Sequence, residues 1–257
     1  MRPQSLEEAW ELNQKKRNRV VGGMMWLKMG KHSFNTAIDL ADLGLNAIEE
    51  TDEEFRIGAM ASLRQLETHP GLAAYSRGAV ASALKDIVGV QFRNGATVGG
   101  SLWRRMGFSD VLTLFLAMDS YVELYQGGVV PLEEFASMRY DKDILVRLIV
   151  KKTPGAFAYQ VVRKQRTDIP SLNCMAAKVA GEYRVCVGSR PSRAVVLRDE
   201  RGYLAGGVTE ESAETFASYA ADNVVVSGNM WGSAAYRRAL VPVLVRRALL
   251  ALGEVSL

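Results

Sequence analysis

Arg93-Asn94-Gly95-Ala96-Thr97-Val98-Gly99-Gly100-Ser101 is the stretch on which the fold of this chain turns. Its glycines at 95, 99 and 100 predict a glycine-punctuated turn. Glycine lets backbone N–H groups approach a ligand with no Cβ in the way, and successive N–H groups in such a turn form an anion-binding concavity. Thr97 and Ser101 add hydroxyls that can donate to phosphate oxygens. Downstream, Ser109 and Asp110 have the character of a helix cap. The apolar positions Val111, Leu112, Leu114, Phe115, Leu116 and Met118 follow at helical spacing. Asp110 is also a carboxylate that can accept two hydroxyl donors.

A second candidate turn lies far upstream. Val20-Val21 reads as a short strand running straight into Gly22-Gly23-Met24. Two such turns, from distant parts of the chain, could clasp a pyrophosphate from both sides without a lysine. A glycine pair alone is equally a tight turn; Gly127-Gly128 and Gly206-Gly207 read that way, in a chain of 23 glycines.

The surrounding elements alternate in short pieces. Ser5 and Glu8 have capping-box spacing ahead of the apolar face of Leu6, Ala9, Trp10 and Leu12. Leu45–Ile48 and Phe55–Met60 suggest a hairpin about the acidic turn Glu49–Glu54. A helix from Ser62 stops at His69-Pro70-Gly71, and a longer one covers about 72–87. Tyr121–Tyr125 reads as a strand, and Ile144–Val150, an almost unbroken aliphatic run, as a buried one. Lys151-Lys152-Thr153-Pro154-Gly155 is a candidate domain boundary. Beyond it come strand-like runs at Phe157–Val162, Ala176–Ala180, Tyr183–Val187 and Ala194–Leu197. Helical stretches follow at Glu210–Asp222 and Ala234–Leu252, with Pro242 expected to kink the last helix or mark its true start. This alternation predicts an α+β fold, not a regular parallel βαβ array.

Bulk properties exclude several classes. With 257 residues and 48% hydrophobic composition, the chain can bury one large core or two modest ones. The net charge of +4 is mild and spread along the chain, so nucleic acid is not an expected partner. No apolar run reaches a membrane span and no secretory signal precedes Ser5, which makes cytoplasmic location the simplest expectation. Cys174 and Cys186 cannot supply the four ligands of an ordinary iron–sulfur cluster and read as buried free thiols. With His32 and His69 as the only histidines, no metal site is expected either. Any redox role must therefore come from an organic cofactor or a partner.

The run Arg93-Asn94-x-Ala96-Thr97-Val98-Gly99-Gly100-Ser101-Leu102, with Ser109-Asp110 and then Ala117-Met118-Asp119, closely resembles the flavoprotein subunits of molybdenum hydroxylases. These are the FAD-binding chains of the xanthine dehydrogenase and carbon monoxide dehydrogenase group. The resemblance extends over nearly the whole length. It includes Pro3–Ala9, the Arg56-Ile57-Gly58-Ala59-Met60 strand, the basic segment Arg163–Ile169, and Gly232-Ser233-Ala234-Ala235-Tyr236-Arg237-Arg238 leading to Arg246-Arg247-Ala248-Leu249. It implies a PCMH-type FAD-binding fold over 1–152, with two subdomains meeting near 55–65, and a smaller α+β C-terminal domain over 153–257. By resemblance, the first loop contacts the pyrophosphate region of FAD through Val20, Val21, Gly22, Gly23, Met24, Met25, Trp26 and Leu27. The second does so through Thr97, Val98, Gly99, Gly100 and Ser101. Asp110 matches an acidic cofactor contact, Leu145 a position beside the flavin, and Gln160 a position where the family usually has a lysine.

Two departures follow. Met24, Met25 and Trp26 replace small polar residues, so hydroxyl contacts to phosphate are lost; these side chains either pack against the adenine or flavin, or belong to the core. Gln160 removes a positive charge that would stabilise reduced flavin. The pairs Arg104-Arg105, Arg237-Arg238 and Arg246-Arg247 read as solvated faces, whereas Arg163–Arg166 is the basic cluster favoured for a role beside the cofactor.

The implied function is electron transfer: from an iron–sulfur small subunit, through FAD on this chain, to an acceptor such as NAD. Substrate hydroxylation would occur on a separate molybdopterin large subunit, and no residue here is assigned as catalytic. Two alternatives stay open, a non-flavin scaffold subunit of such a complex and a free-standing flavin reductase.

Overall fold

The computed structural model describes residues 1–31 and 33–254, leaving His32 outside. The chain opens with α1 (Leu6–Gln14), capped by Ser5, which accepts from the Glu8 N–H while the Glu8 carboxylate accepts from the Gln4 N–H. β1 (Asn18–Val21) and β2 (Thr36–Asp39) pair in parallel. β3 (Ile48–Glu50) and β4 (Glu54–Gly58) form the expected hairpin, its turn held by the Thr51 hydroxyl accepting from the N–H groups of Glu53 and Glu54.

Six short helices follow: α2 (Leu63–Thr68), α3 (Pro70–Tyr75), α4 (Ala79–Leu84), α5 (Val90–Gly95), α6 (Val98–Trp103) and α7 (Asp110–Leu116). Next come β5 (Ser120–Leu124), β6 (Gly128–Pro131), α8 (Leu132–Ser137) and β7 (Leu145–Lys151). The last part contains β8 (Gly155–Val162), β9 (Leu172–Val179), β10 (Glu182–Gly188), β11 (Val195–Arg198), α9 (Glu210–Asn223) and α10 (Ala234–Glu254).

Two antiparallel sheets carry the architecture. One has the order β3-β4-β7-β5-β6 and the other is the meander β11-β10-β9-β8. In the meander, alternate residues of β9 serve different cores. Leu172, Cys174 and Ala176 pack against α9 and α10, whereas Met175, Ala177 and Val179 join the core of the first sheet and its helices. Both faces are therefore packed, which explains why Cys174–Ala177 is an unbroken run without polar alternation. A third, smaller core gathers Ala9, Ile38 and Leu40 with Ile144 and Val146. Cys174 and Cys186 are both buried and unpaired, and burial pushes both thiols well above their usual range.

Several sequence expectations change. The long helix over 72–87 is broken in two, because Arg77 and Gly78 both take left-handed conformations, with φ of 48° and 82°. Pro70 does not merely end a helix; it opens α3, with His69 Nδ1 accepting from the Leu72 N–H. α10 runs through Pro242 as one assigned helix.

The basic pairs are not uniformly solvated. Arg105 is buried, with its guanidinium 3.9 Å from the Phe135 ring centroid and its Nε donating to the Phe135 carbonyl. Arg237 is also buried, and donates to the carbonyls of Ser171, Ser227 and Gly232 and to Asn229 Oδ1. In both cases the guanidinium finds carbonyl acceptors inside the protein, a satisfaction that composition does not reveal.

Candidate functional site

The stretch Arg93–Ser101 is two helix ends joined through extended Ala96 and Thr97, not one open turn: α5 ends at Gly95 and α6 begins at Val98, with Thr97 as N-cap. Its backbone donors have acceptors inside the protein. The N–H groups of Val98 and Gly99 donate to the carbonyls of Ala61 and Ala59, at 2.9 and 2.8 Å. The Gly100 N–H donates to Thr97 Oγ1 at 3.1 Å, and Ser101 Oγ to the Thr97 carbonyl at 2.9 Å. These bonds, with Leu63 N–H to the Ala96 carbonyl, fasten the segment to the end of β4. A Cβ on Gly99 would sit 2.7 Å from the Ala59 carbonyl oxygen, so the glycine permits this close helix–strand packing. Gly100, by contrast, faces solvent.

The two glycine segments meet. A Cβ on Gly22 would fall 2.4 Å from Thr97 Oγ1, and one on Gly23 would overlap the Gly95 carbonyl oxygen at 1.4 Å. Met25 lies over Gly95, where a Cβ would come within 2.8 Å of its sulfur. Val21 is buried at the end of β1, while Val20 and Leu27 are half-buried.

Met24 has φ of 55°, a left-handed conformation uncommon for a non-glycine residue, and its carbonyl accepts from the Lys28 N–H. Met24 and Trp26 are 46% and 43% exposed, so neither is a core residue. The Trp26 ring packs on Phe108, centroids 5.3 Å apart, and Phe108 in turn faces Trp231 at 6.4 Å. Trp231 belongs to the loop that Arg237 pins.

Asp110, first residue of α7, is 5% exposed and lies in a polar cluster. Its Oδ1 accepts from the Tyr159 hydroxyl and from Asn173 Nδ2 at 2.9 Å; its Oδ2 accepts from Arg163 Nη2 at 2.9 Å. The Asn173 Oδ1 accepts from Thr113 Oγ1 at 3.2 Å, tying α7 to β9. Burial, reinforced by the Asp110 carboxylate, holds the Tyr159 hydroxyl well above its usual range. Of the two capping candidates, Ser109 is the cap, its Oγ accepting from the Leu112 N–H, while the Asp110 side chain is turned to the polar cluster.

A carboxylate offers about four lone-pair positions. Three are taken by protein donors, from Tyr159, Asn173 and Arg163. Leu145 is buried in the core, opposite Leu124 on β5. Gln160 is half-buried on β8, opposite Cys174.

Phe108, Tyr159, Asn173 and Trp231 were not anticipated. Asn173 left a trace: it is a fully buried polar residue at the start of an otherwise largely apolar β9. Among the described residues no cluster of His, Cys, Asp and Glu could hold a metal, and no helix is long and apolar enough to cross a membrane.

The α+β frame thus brings two distant glycine segments together and, separately, buries a carboxylate at the start of α7. Residues 1–152 match the family described as the FAD binding domain in molybdopterin dehydrogenase, and the chain belongs to that family. It is thereby an oxidoreductase component whose cofactor is FAD.

The chain is similar to the uncharacterized protein YgfM of Escherichia coli (strain K12), with 26% identity over 250 residues covering 95% of this chain and 92% of that one. It is also 24% identical over 274 residues to the nicotine 6-hydroxylase medium subunit of Paenarthrobacter nicotinovorans, covering 98% and 95%. Its PCMH-type fold is shared with the crystal structure of quinoline 2-oxidoreductase from Pseudomonas putida 86. The TM-score is 0.87 at 19% identity, over 98% of this chain and 95% of that chain.

Proposed function

We propose that this chain is the electron-transfer flavoprotein subunit of a molybdenum-hydroxylase complex of the xanthine dehydrogenase-like kind. It would work with an iron–sulfur small subunit and a molybdopterin large subunit, pass electrons on to NAD or another acceptor, and act in the cytoplasm. The observation that carries this is the family match over residues 1–152, and the close approach of Gly22 and Gly23 to Thr97 Oγ1 and the Gly95 carbonyl agrees with it by bringing the two glycine segments together. Glycine at 22 and 23 lets the two segments close on one another, and the remaining backbone N–H groups of the first segment are the donors a pyrophosphate would use.

The residues present fit FAD. Val20, Val21, Gly22, Gly23, Met24, Met25, Trp26 and Leu27 would hold the pyrophosphate side, with Thr97, Val98, Gly99, Gly100 and Ser101 opposite. Because the N–H groups of Val98 and Gly99 are engaged with Ala61 and Ala59, the second segment would contribute mainly shape and its exposed Gly100 edge. Asp110 would accept one cofactor hydroxyl, Leu145 would form apolar wall, and Gln160 would offer a neutral amide near the flavin. Residues 1–152 would be the PCMH-type domain, with subdomains dividing near 55–65, and residues 153–257 the C-terminal domain.

Bound FAD would supply reversible acceptance of two electrons; the protein positions it and sets its electrostatic surroundings. The relative named as a medium subunit of nicotine 6-hydroxylase supports the multi-subunit setting. The purified chain should show flavin absorbance, or take up FAD with quenching of flavin fluorescence. It should also co-purify with a cysteine-rich small chain and a large molybdopterin chain. Absence of flavin binding in the intact complex would instead favour the scaffold reading, and a stable NADH-oxidising monomer would favour the reductase.

A further inference from the structure

We propose that Arg163 is the charge-balancing and positioning residue of the cofactor site, acting through Asp110. The proposal rests on the FAD reading above and deepens it. Both partners are deeply buried: the Arg163 side chain is 7% exposed and that of Asp110 5%, with Nη2 to Oδ2 at 2.9 Å. A buried carboxylate with only neutral donors would be costly, and Arg163 supplies its counter-charge. The two other cations of the segment are turned elsewhere: Lys164 Nζ donates to the Met230 carbonyl, and Arg166 pairs with Asp86. Arg163 alone of the three is held at Asp110.

Its remaining contacts fix its orientation. Nη1 donates to the Asp168 carbonyl at 2.7 Å, while Nε is buried with no partner. Tyr159 and Asn173 fill Oδ1, leaving the last acceptor position on Oδ2, the same oxygen that Arg163 holds. The guanidinium therefore orients the oxygen that would receive the cofactor hydroxyl. The pair itself carries no net charge. A neutral pair gives a hydrogen-bond acceptor without electrostatic bias on the flavin; breaking the pair exposes one sign or the other.

The test uses the full-length chain loaded with FAD, with the variants R163Q, R163K, D110N and the double variant D110N/R163Q. Three quantities are measured: the thermal midpoint of the apoprotein, the FAD dissociation constant from fluorescence titration, and the midpoint potential of the bound flavin. R163Q should weaken FAD about tenfold or more, the scale of one lost charge-assisted hydrogen bond. R163K should recover most of that loss.

The potential should move negative in R163Q, where an unbalanced carboxylate remains, and positive in D110N, where an unbalanced guanidinium remains. The double variant should return toward the parent value. A merely structural pair would destabilise the fold in both single variants without opposite shifts of potential. Equal, same-sign or absent shifts overturn the proposal while leaving FAD binding intact. A parent protein that binds no FAD overturns both this and the function it rests on. If R163Q does not fold, D110N decides alone: a potential that stays or moves negative refutes the proposal.

Discussion

Gly23→Ala is the most direct test of how the two glycine segments work. The added Cβ would lie 1.4 Å from the Gly95 carbonyl oxygen and 2.5 Å from its carbon, both backbone atoms that cannot swing aside as a side chain could. Restoring an ordinary contact of 3.4 Å requires the segments to part by about 2 Å, 3.4 less 1.4. Such overpacking costs about 1–3 kcal/mol in stability.

The cost to cofactor binding should be larger. Backbone donors displaced by that distance cannot keep charge-assisted bonds to a pyrophosphate, each worth about 1.5–3 kcal/mol. Losing two of them weakens FAD by roughly a hundredfold or more, at about 1.4 kcal/mol per tenfold. Apoprotein would be titrated with FAD by fluorescence, alongside thermal melts. Gly206→Ala serves as the control, since nothing lies within 4 Å of its Cβ. A G23A protein that folds and binds FAD within about twofold of the parent would refute the clasp.

Other perturbations separate scaffold from site. Gly99→Ala brings a Cβ within 2.7 Å of the Ala59 carbonyl oxygen and 2.8 Å of its Cβ, and should lower stability by about 1–3 kcal/mol in denaturant melts. Arg237→Met strips donors from the carbonyls of Ser171, Ser227 and Gly232, so hydrogen exchange should accelerate across 227–233 and stability should fall by about 3 kcal/mol or more. Hydrogen bonds from Lys151 and then Arg56 lower the affinity of Glu54 for protons. Its folded state is thus favoured above the usual carboxylate range, and that stability is lost as pH falls through the lowered value. Glu54→Gln should therefore flatten the acid limb of a stability-versus-pH curve, and an unchanged limb would discount the pair.

Periodicity and turn chemistry made much of the frame legible. The Ser5 and Ser109 caps, the β3–β4 hairpin and the aliphatic strand at β7 all depend on near neighbours in sequence. Arg77 is where local reasoning fails: nothing in its residue type announces a left-handed backbone, so α3 and α4 read as one helix. The same holds at Gly95–Gly100. Glycines there looked like an open turn, yet tertiary bonds to Ala59 and Ala61 complete a helical one. The glycine pairs and Asp110 stood out as candidates because of what their chemistry permits. Their partners Phe108, Tyr159, Asn173 and Trp231 are assembled by long-range packing, which leaves almost no mark on local pattern. Arg105 and Arg237 mislead for the same reason, since a basic pair on paper carries no sign of the carbonyls awaiting it.

The β8–β11 meander, packed on both faces, is an internal wall of the protein instead of an appendage. A chain cut after β7 would uncover the surface that Phe157, Met175 and Ala177 now fill, and would strip Asp110 of Tyr159, Asn173 and Arg163 together. Variation can therefore accumulate at the outer faces of α9 and α10, where it meets solvent, while substitutions along β9 are felt on two sides at once.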